Sequence, residues 1–420
     1  MMATHVSPDA PSAHRLFAAG GPGLDEHRRR FGGLPVGSDT LVPVLDEAGL
    51  TGRGGAGFPT GRKIAAVSAR KAVVIGNGAE GEPLSRKDAM LLASAPHLVL
   101  DGLSLAADAV GAHQVFLYVP SHAMQSVKNA LAERRAAGWD RYQVSVVEAP
   151  DTYVSGEESA VVRRIEGGPA LPRDRTVIIP VAGVRGRPTL VNNVETLAHI
   201  ALIARYGPRW FRSMGDPDEP GTRLVTLSGA LNKRGVVEVP TGTPLTDLIG
   251  RHGGTDPRCL RAVLVGGYHG SWIPAAALDG MRLSQASMAQ AGASPGAGVI
   301  HTLPVDECGL ARVADIAAYL AEQSAGQCGP CLNGLPRLAD LLDELAYGRA
   351  GDDLLGEILR MLGLVDGRGS CRHPDGTARM VRSALDAFAA DVALHQRGHC
   401  EAVLIPGPAY SDARRDASRT

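Results

Sequence analysis

Three short apolar runs, 72–76, 115–119 and 144–148, carry strand character, and the stretch 121–137 between the last two carries a helical period, with Ser121 positioned to cap it. Strand, helix, strand at this spacing predicts a parallel α/β layer. Ligands of such layers sit beyond the carboxyl ends of the strands. The turn Asn77-Gly78-Ala79-Glu80-Gly81-Glu82-Pro83 leaves the first run at that end. Its amide and its two carboxylates, Glu80 and Glu82, suit the hydroxyls of a ribose or ribityl chain, and equally suit a capped turn with solvated acids.

A second string points to the same kind of ligand. Residues 52–63 read Gly-Arg-Gly-Gly-Ala-Gly-Phe-Pro-Thr-Gly-Arg-Lys, five glycines in twelve positions. Glycine lets backbone approach a flat or phosphorylated ligand closely, and successive exposed N–H groups attract anions. Arg62 and Lys63 follow as charged partners for phosphate. Two further clusters stand out. Tyr153-Val154-Ser155-Gly156-Glu157-Glu158-Ser159 reads as a helix start whose acids complement the dipole. Val191-Asn192-Asn193-Val194-Glu195-Thr196 offers paired amides that either read a heterocycle or cap a helix.

The length, 420 residues, predicts two to four domains. Residues 1–38 read as a flexible arm, 39–210 as the α/β domain, and 208–220 as a break. A small α+β module of β-grasp character occupies 221–283, with strands at 224–228, 236–239 and 262–265 and a short helix at 245–252. A soft linker is expected at 284–304, and a helical domain at 305–400 with helices at 313–323, 335–346, 354–362 and 378–394. Residues 401–420 read as a tail. Lys+Arg 43 against Asp+Glu 44 gives no electrostatic case for nucleic acid or a membrane surface. No apolar stretch approaches a membrane span, and the first residues lack signal-peptide order, so a cytoplasmic protein is expected.

Six cysteines in a chain this long favour metal or redox chemistry over a disulfide framework. Cys328-Gly329-Pro330-Cys331 lies between two helices, and Cys371 and Cys400 follow. These thiolates suit an iron–sulfur cluster or a four-sulfur zinc. Cys259 and Cys308 read as buried and unliganded.

The order of these motifs is specific. The glycine string, Asn-x-x-Glu-Gly-Glu-Pro, Tyr-x-x-Gly-Glu-Glu, Val-Asn-Asn-Val-Glu-Thr and the late Cys-x-x-Cys together resemble the NADH- and FMN-binding subunit of respiratory complex I and its relatives in NAD-linked hydrogenases and formate dehydrogenases. The likeness runs from about 40 to about 394. It implies a Rossmann-like FMN domain, a soluble-ligand-binding β-grasp domain and a helical bundle holding a 4Fe-4S cluster. It implies electron flow from NADH through FMN to the cluster, and on to a ferredoxin, another iron–sulfur subunit or a quinone-linked complex. Gly52, Arg53, Gly54, Gly55, Lys63 and Asn77 would surround FMN, with Glu80 nearby. Tyr153, Gly156, Glu157, Asn192, Asn193 and Thr196 would lie at the isoalloxazine region. Phe58, Glu82 and Glu158 would face the nicotinamide nucleotide, the two glutamates nearest the chemistry. Cys328, Cys331 and Cys371 match three cluster thiolates, and Cys400 is the favoured fourth, with His373 as the alternative.

The chain departs from the family pattern at five positions. Ala325 stands where the family has its first cysteine, Ala79 where it has aspartate, and Ala66, Arg175 and Ile178 where it has an aromatic, a lysine and an aromatic. The missing aromatics motivate a rival, an FMN and iron–sulfur relay that exchanges electrons with a ferredoxin without NADH. Ala325 and Ala79 motivate another, a non-enzymatic scaffold stabilised by zinc.

Overall fold

The computed structural model describes residues 14–35, 40–67, 71–174, 178–347 and 353–404. Strands β1 (Ala72–Asn77), β2 (Ala112–Pro120), β3 (Val144–Ala149) and β4 (Thr189–Asn193) form one parallel sheet in the order β3-β2-β1-β4. Helices cover β1 on both faces, which is why its sequence is continuously apolar rather than alternating. The chain runs outward through β2 and β3, then returns past β1 to lay down β4. The β1/β4 boundary is therefore the topological switch point, where open α/β sheets bind their ligands. Its register pairs Gly76 with Asn192 and Asn77 with Asn193, so two of the polar motifs end side by side there.

The helix expected at 121–137 is present as a 3-10 turn, Ser121–Ala123, leading into Met124–Ala136. Ser121 makes no capping bond; the chain enters the turn from extended Pro120. The helix Val194–Arg212 runs into the expected break, bending at Gly207 before Pro208.

The amino-terminal segment is not a free arm where it is described. Leu24–Phe31 is a helix, and Leu16 and Phe31 enter the core. Arg15 donates to the carbonyls of Phe211 and Trp210, both at 3.0 Å, and the Leu16 amide donates to Glu238 at 2.9 Å. His27 meets buried Asp101 at 2.7 Å, where Arg134, Arg205 and Trp139 also converge. Burial alone would favour a protonated Asp101, but His27 and the two guanidiniums hold it well below the usual carboxylate range. A loop-like composition thus conceals long-range anchors. Residues 1–13 and 36–39 lie outside the described residues.

A second sheet contains β5 (Thr222–Gly229), β6 (Gly235–Pro240), β7 (Leu260–Val265), β8 (Ser271–Pro274) and β9 (Val299–Pro304), ordered β6-β5-β9-β7-β8. The expected linker at 284–304 is corrected: it holds the helix Gln285–Ala289 and then β9, the central strand. Strand β9 pairs parallel with β5 and antiparallel with β7. Alternation along β7 sends Val263 and Val265 to the sheet's own core and Ala262 and Leu264 to the helical domain.

That domain contains Gly309–Glu322, Leu335–Ala346, Leu354–Val365, His373–Ala387 and Ala389–His395. The single helix expected at 378–394 is two, parted at Phe388, whose ring meets Trp272 of β8 edge-on at 5.4 Å. Of the tail, Glu401–Leu404 is a short helix, and 405–420 lie outside the described residues. Among the described residues, no single helix is long and apolar enough to cross a membrane.

Helices Pro96–Ala109 and Val194–Arg212 touch backbone to backbone at Gly102: a Cβ there would stand 1.8 Å from the Leu197 carbonyl oxygen. Gly102→Ala should therefore force the helices apart and cost about 1–3 kcal/mol. Urea unfolding of the two proteins measures it, and an unchanged midpoint would refute the close contact.

Candidate flavin and nucleotide site

The four polar motifs converge at the switch point. The glycine string is closed by a bridge between Thr51 and Pro59, with the Gly52 amide donating to the Phe58 carbonyl at 2.9 Å. Gly55, at φ +110°, gives the loop a turn that side-chain-bearing residues resist. Gly54 lies over the end of β4, where a Cβ would approach the Asn193 Cβ to 3.2 Å. The Arg53 amide donates to Thr196 Oγ1 at 2.9 Å. Asn77 Nδ2 donates to the Gly156 carbonyl at 2.9 Å, joining the Asn77 turn to the Tyr153 motif. Lys63 pairs with Glu158 across the same opening. Tyr153 donates its hydroxyl to Glu82 at 3.3 Å.

Several expected site residues turn polar side-chain atoms to partners within the protein. The Arg53 side chain turns inward, 1% exposed, and its guanidinium donates to Thr51 and to the carbonyls of Pro220 and Thr222. It braces the second domain, and burial lowers it to about 10. Glu80 accepts from Ser85 Oγ and from the amides of Asp88 and Ala89, so it caps the helix Lys87–Ser94. Glu157 accepts from the amides of Ser159 and Ala160 and caps Glu158–Ile165. Asn193 caps Val194–Arg212 through the Glu195 amide and donates to Asp88 at 2.8 Å. Short polar side chains at helix starts satisfy orphan amides first, a use with the same sequence signature as ligand binding.

Asn192 differs. It is buried, and its Nδ2 finds no hydrogen-bond partner among the described residues. A buried amide donor without a partner costs about 1–3 kcal/mol, so a ligand acceptor is the natural complement. Phe58 is 49% exposed at the loop rim with the Arg62 guanidinium 5.7 Å from its ring centre, an open face for a planar group. Of the positions where the family has aromatics, Ile178 and Ala66 are exposed, and Arg175, where it has lysine, lies outside the described residues.

Beneath the site lies a buried ion cluster that sequence reading passes over. Lys87 Nζ is 2.8 Å from Asp88 and 2.9 Å from Glu195. Burial alone would lower Lys87, but Asp88, Glu195 and Glu80 raise it above its ordinary value. Glu195 also accepts from the Leu224 amide of β5, carrying the site's base into the second domain. The hint available is a Lys-Asp pair opening an otherwise apolar helix.

Glu82 sits where three bodies meet. It accepts from the amides of Tyr268, at 2.7 Å, and Leu84, at 3.2 Å. Tyr153 packs edge-on to His269 and His373, with ring centres at 4.6 and 5.4 Å. The Tyr153 amide donates to Gln323 Oε1, and Gln327 Nε2 donates to the Pro172 carbonyl at 2.9 Å. The loop leading to Cys328 is thereby fastened to the wall of the flavin site.

Cys328, Cys331 and Cys371 come together, Cys331 and Cys371 buried and Cys328 partly so. Burial, then the Cys328 thiol and Cys371, push Cys331 up to about 12. At Cys328 burial opposes ionisation, but amides of Ser370 and Cys331 and the Cys331 thiol outweigh it and hold the group below its ordinary value. The expected fourth ligand is corrected. Cys400 lies with Cys308, Asp391 and His395. His373 is spent as well, Nε2 on the Leu320 carbonyl at 2.7 Å and Nδ1 facing His269 Nε2 at 3.1 Å. Cys259 is exposed rather than buried, and Cys308 is neither fully buried nor isolated. Cys328, Cys331 and Cys371 remain as the candidate cluster thiols, and Ala325 offers no donor for a fourth.

A parallel-sheet domain with an amide-lined cleft at its switch point, next to a three-cysteine centre, defines a flavin and iron–sulfur oxidoreductase. The family described as the Nuo51 FMN-binding domain matches residues 45–202, and the NADH-ubiquinone oxidoreductase-F iron-sulfur binding region matches 311–395. The second F subunit of the NADH-quinone oxidoreductase of Rhizobium meliloti is 32% identical over 407 residues, covering 92% of this chain and 96% of that one. The corresponding F subunit of Mycobacterium bovis is 31% identical, covering 87% and 86%. An NAD+-reducing NiFe hydrogenase in the air-oxidized state superposes with a TM-score of 0.78 at 30% identity over 92% of this chain. This chain spans 65% of that hydrogenase chain. The chain belongs to the family of NADH-quinone oxidoreductase F subunits. The resemblance read from the motifs stands, and with it the α/β fold, the NADH-dependent oxidoreductase class and the cofactors FMN, 4Fe-4S cluster and NAD(H). The rival without NADH and the zinc scaffold are not favoured.

Burial pushes Glu82 from the ordinary 4.5 up to about 7. A raised folded-state value means its proton stabilises the fold fully below about pH 4.5, a contribution lost as pH rises through about 7. Relative to Glu82→Gln, the wild type should lose about 1–3 kcal/mol between pH 4.5 and 8. Urea midpoints of both proteins across that range test it, and a pH-independent difference would contradict it.

Proposed function

We propose that the cleft between the glycine string and the ends of β1 and β4 holds FMN, that the rim at Phe58 receives NADH, and that electrons leave through the centre held by Cys328, Cys331 and Cys371. The convergence of four separate motifs on one switch point carries this reading, with the cysteine loop fastened to the same wall through Gln323. A flavin held there would supply the hydride-accepting chemistry and the change from two-electron to one-electron transfer that an iron–sulfur centre requires.

The residues position and exclude. Backbone of Gly52, Gly54 and Gly55 would receive the cofactor's phosphate, with Lys63 supplying a positive charge. Asn192 Nδ2, buried without a partner among the described residues, would donate to a flavin acceptor. Tyr153, Gly156, Asn77 and Thr196 hold the four motifs in register around the ring. Phe58 would stack on the nucleotide, and Glu158, paired with Lys63, would orient the nicotinamide end, as would Glu82, which accepts from Tyr153. Cys328, Cys331 and Cys371 would hold the cluster through their thiolates. An iron–sulfur subunit of a larger assembly, or a ferredoxin, accepts the electrons. The reading carries a cytoplasmic location, free or peripheral to a membrane complex.

Anaerobically purified protein should show flavin and iron–sulfur absorbance that NADH bleaches; flavin that micromolar NADH leaves oxidised would defeat the proposal. Phe58→Ala should raise KM for NADH up to about tenfold, as expected from losing about 0.5–1.5 kcal/mol of stacking, with flavin content unchanged. Cys331→Ser should lose iron and acid-labile sulfide yet keep FMN. Loss of both groups together would contradict separate sites.

A further inference from the structure

Away from the flavin cleft, Cys308, Asp391, His395 and Cys400 each turn one donor atom into a common point, all within 4.8 Å of one another. Three segments supply them. Cys308 precedes the helix Gly309–Glu322, Asp391 and His395 stand four apart on one face of Ala389–His395, and Cys400 directly precedes Glu401–Leu404. We propose that these four residues bind one tetrahedral Zn2+, a structural site distinct from the iron–sulfur centre.

The distances fit. Zinc–sulfur bonds of about 2.3 Å and zinc–nitrogen bonds of about 2.0–2.1 Å imply a tetrahedral S···N edge of about 3.5 Å. Cys308 Sγ and His395 Nε2 are 3.5 Å apart. His395 Nε2 and Asp391 Oδ1 are 3.8 Å apart, a small contraction away from a shared ion.

The outer partners fit as well. His395 Nδ1 lies 3.1 Å from the Leu345 carbonyl, which can only accept, so that nitrogen carries the proton and the Nε2 lone pair faces the site. Cys308 Sγ accepts from the Ala311 amide at 3.4 Å at the start of its helix. Asp391 is held by Arg261 at 3.1 Å and by the Glu401 amide at 3.1 Å, which leaves further lone pairs on its oxygens. Two thiolates and one carboxylate balance one Zn2+ and the Arg261 guanidinium, with the imidazole neutral. A cleft of about 260 Å³ lies beside the group, lined by Asp391 of the four together with Arg261 and Glu401. Sulfur with nitrogen in tetrahedral array selects zinc over magnesium or calcium. The ion would tie the end of the helical domain to the start of its first helix, and through Arg261 to β7.

The test uses the full chain purified anaerobically with thiols reduced. Metal analysis should give about one zinc per chain alongside the iron, and cobalt substitution should add thiolate-to-cobalt absorption. Cys400→Ser, at a partly exposed position, should lose the zinc, keep flavin and iron, and lower the melting midpoint by several degrees. Cys328→Ser should do the reverse, losing iron and keeping zinc. Protein that binds no zinc on titration overturns the proposal, as does zinc that leaves with Cys328 or survives in both Cys400→Ser and His395→Ala. A Cys308–Cys400 disulfide in the anaerobic preparation would overturn it equally.

Discussion

The lateral pairing of β1 with β4 is the constraint from which the site follows. It aligns Asn77 with Asn193 and Gly76 with Asn192, and a slip of one residue would turn every one of these side chains to the opposite face. Pairing alone does not hold polar strand ends together in a buried setting. The Lys87–Asp88–Glu195 cluster does so from beneath, with Asn193 bonded to Asp88 and Glu195 bonded to the first strand of the neighbouring sheet. Removing one member of such a cluster would strand the other charges, so the three are best understood as one unit.

Much of the architecture is legible in the sequence because it rests on local periodicity. The strands near 72, 115 and 144 and the helices near 335 and 354 announce themselves through spacing alone. β9 does not, because its run is short and follows a glycine- and alanine-rich stretch, while its strand identity comes from neighbours distant in sequence. The amino-terminal segment is illegible for a related reason: its anchors, Arg15, Leu16 and His27, take partners more than seventy residues away.

At the site, motif order is more informative than any single side chain. Glu80, Glu157 and Asn193 belong to the expected clusters and lie in the expected region, yet their polar atoms serve helix ends. Asn192, adjacent to one of them, retains an unpaired donor. Composition cannot separate these cases, since capping and ligand recognition use the same chemistry. The cysteines teach a similar lesson. Proximity to the end of the chain suggests Cys400 as a fourth partner for Cys328, Cys331 and Cys371, whereas the turn after Ala389–His395 carries it to Cys308.

The bond between the Leu16 amide and Glu238 spans 222 positions of chain. During synthesis, Arg15 and His27 can find their partners as soon as the helix ending at Arg212 has emerged, but this one bond must wait for β6. The last latch on the first domain's amino end thus belongs to the folding of the second.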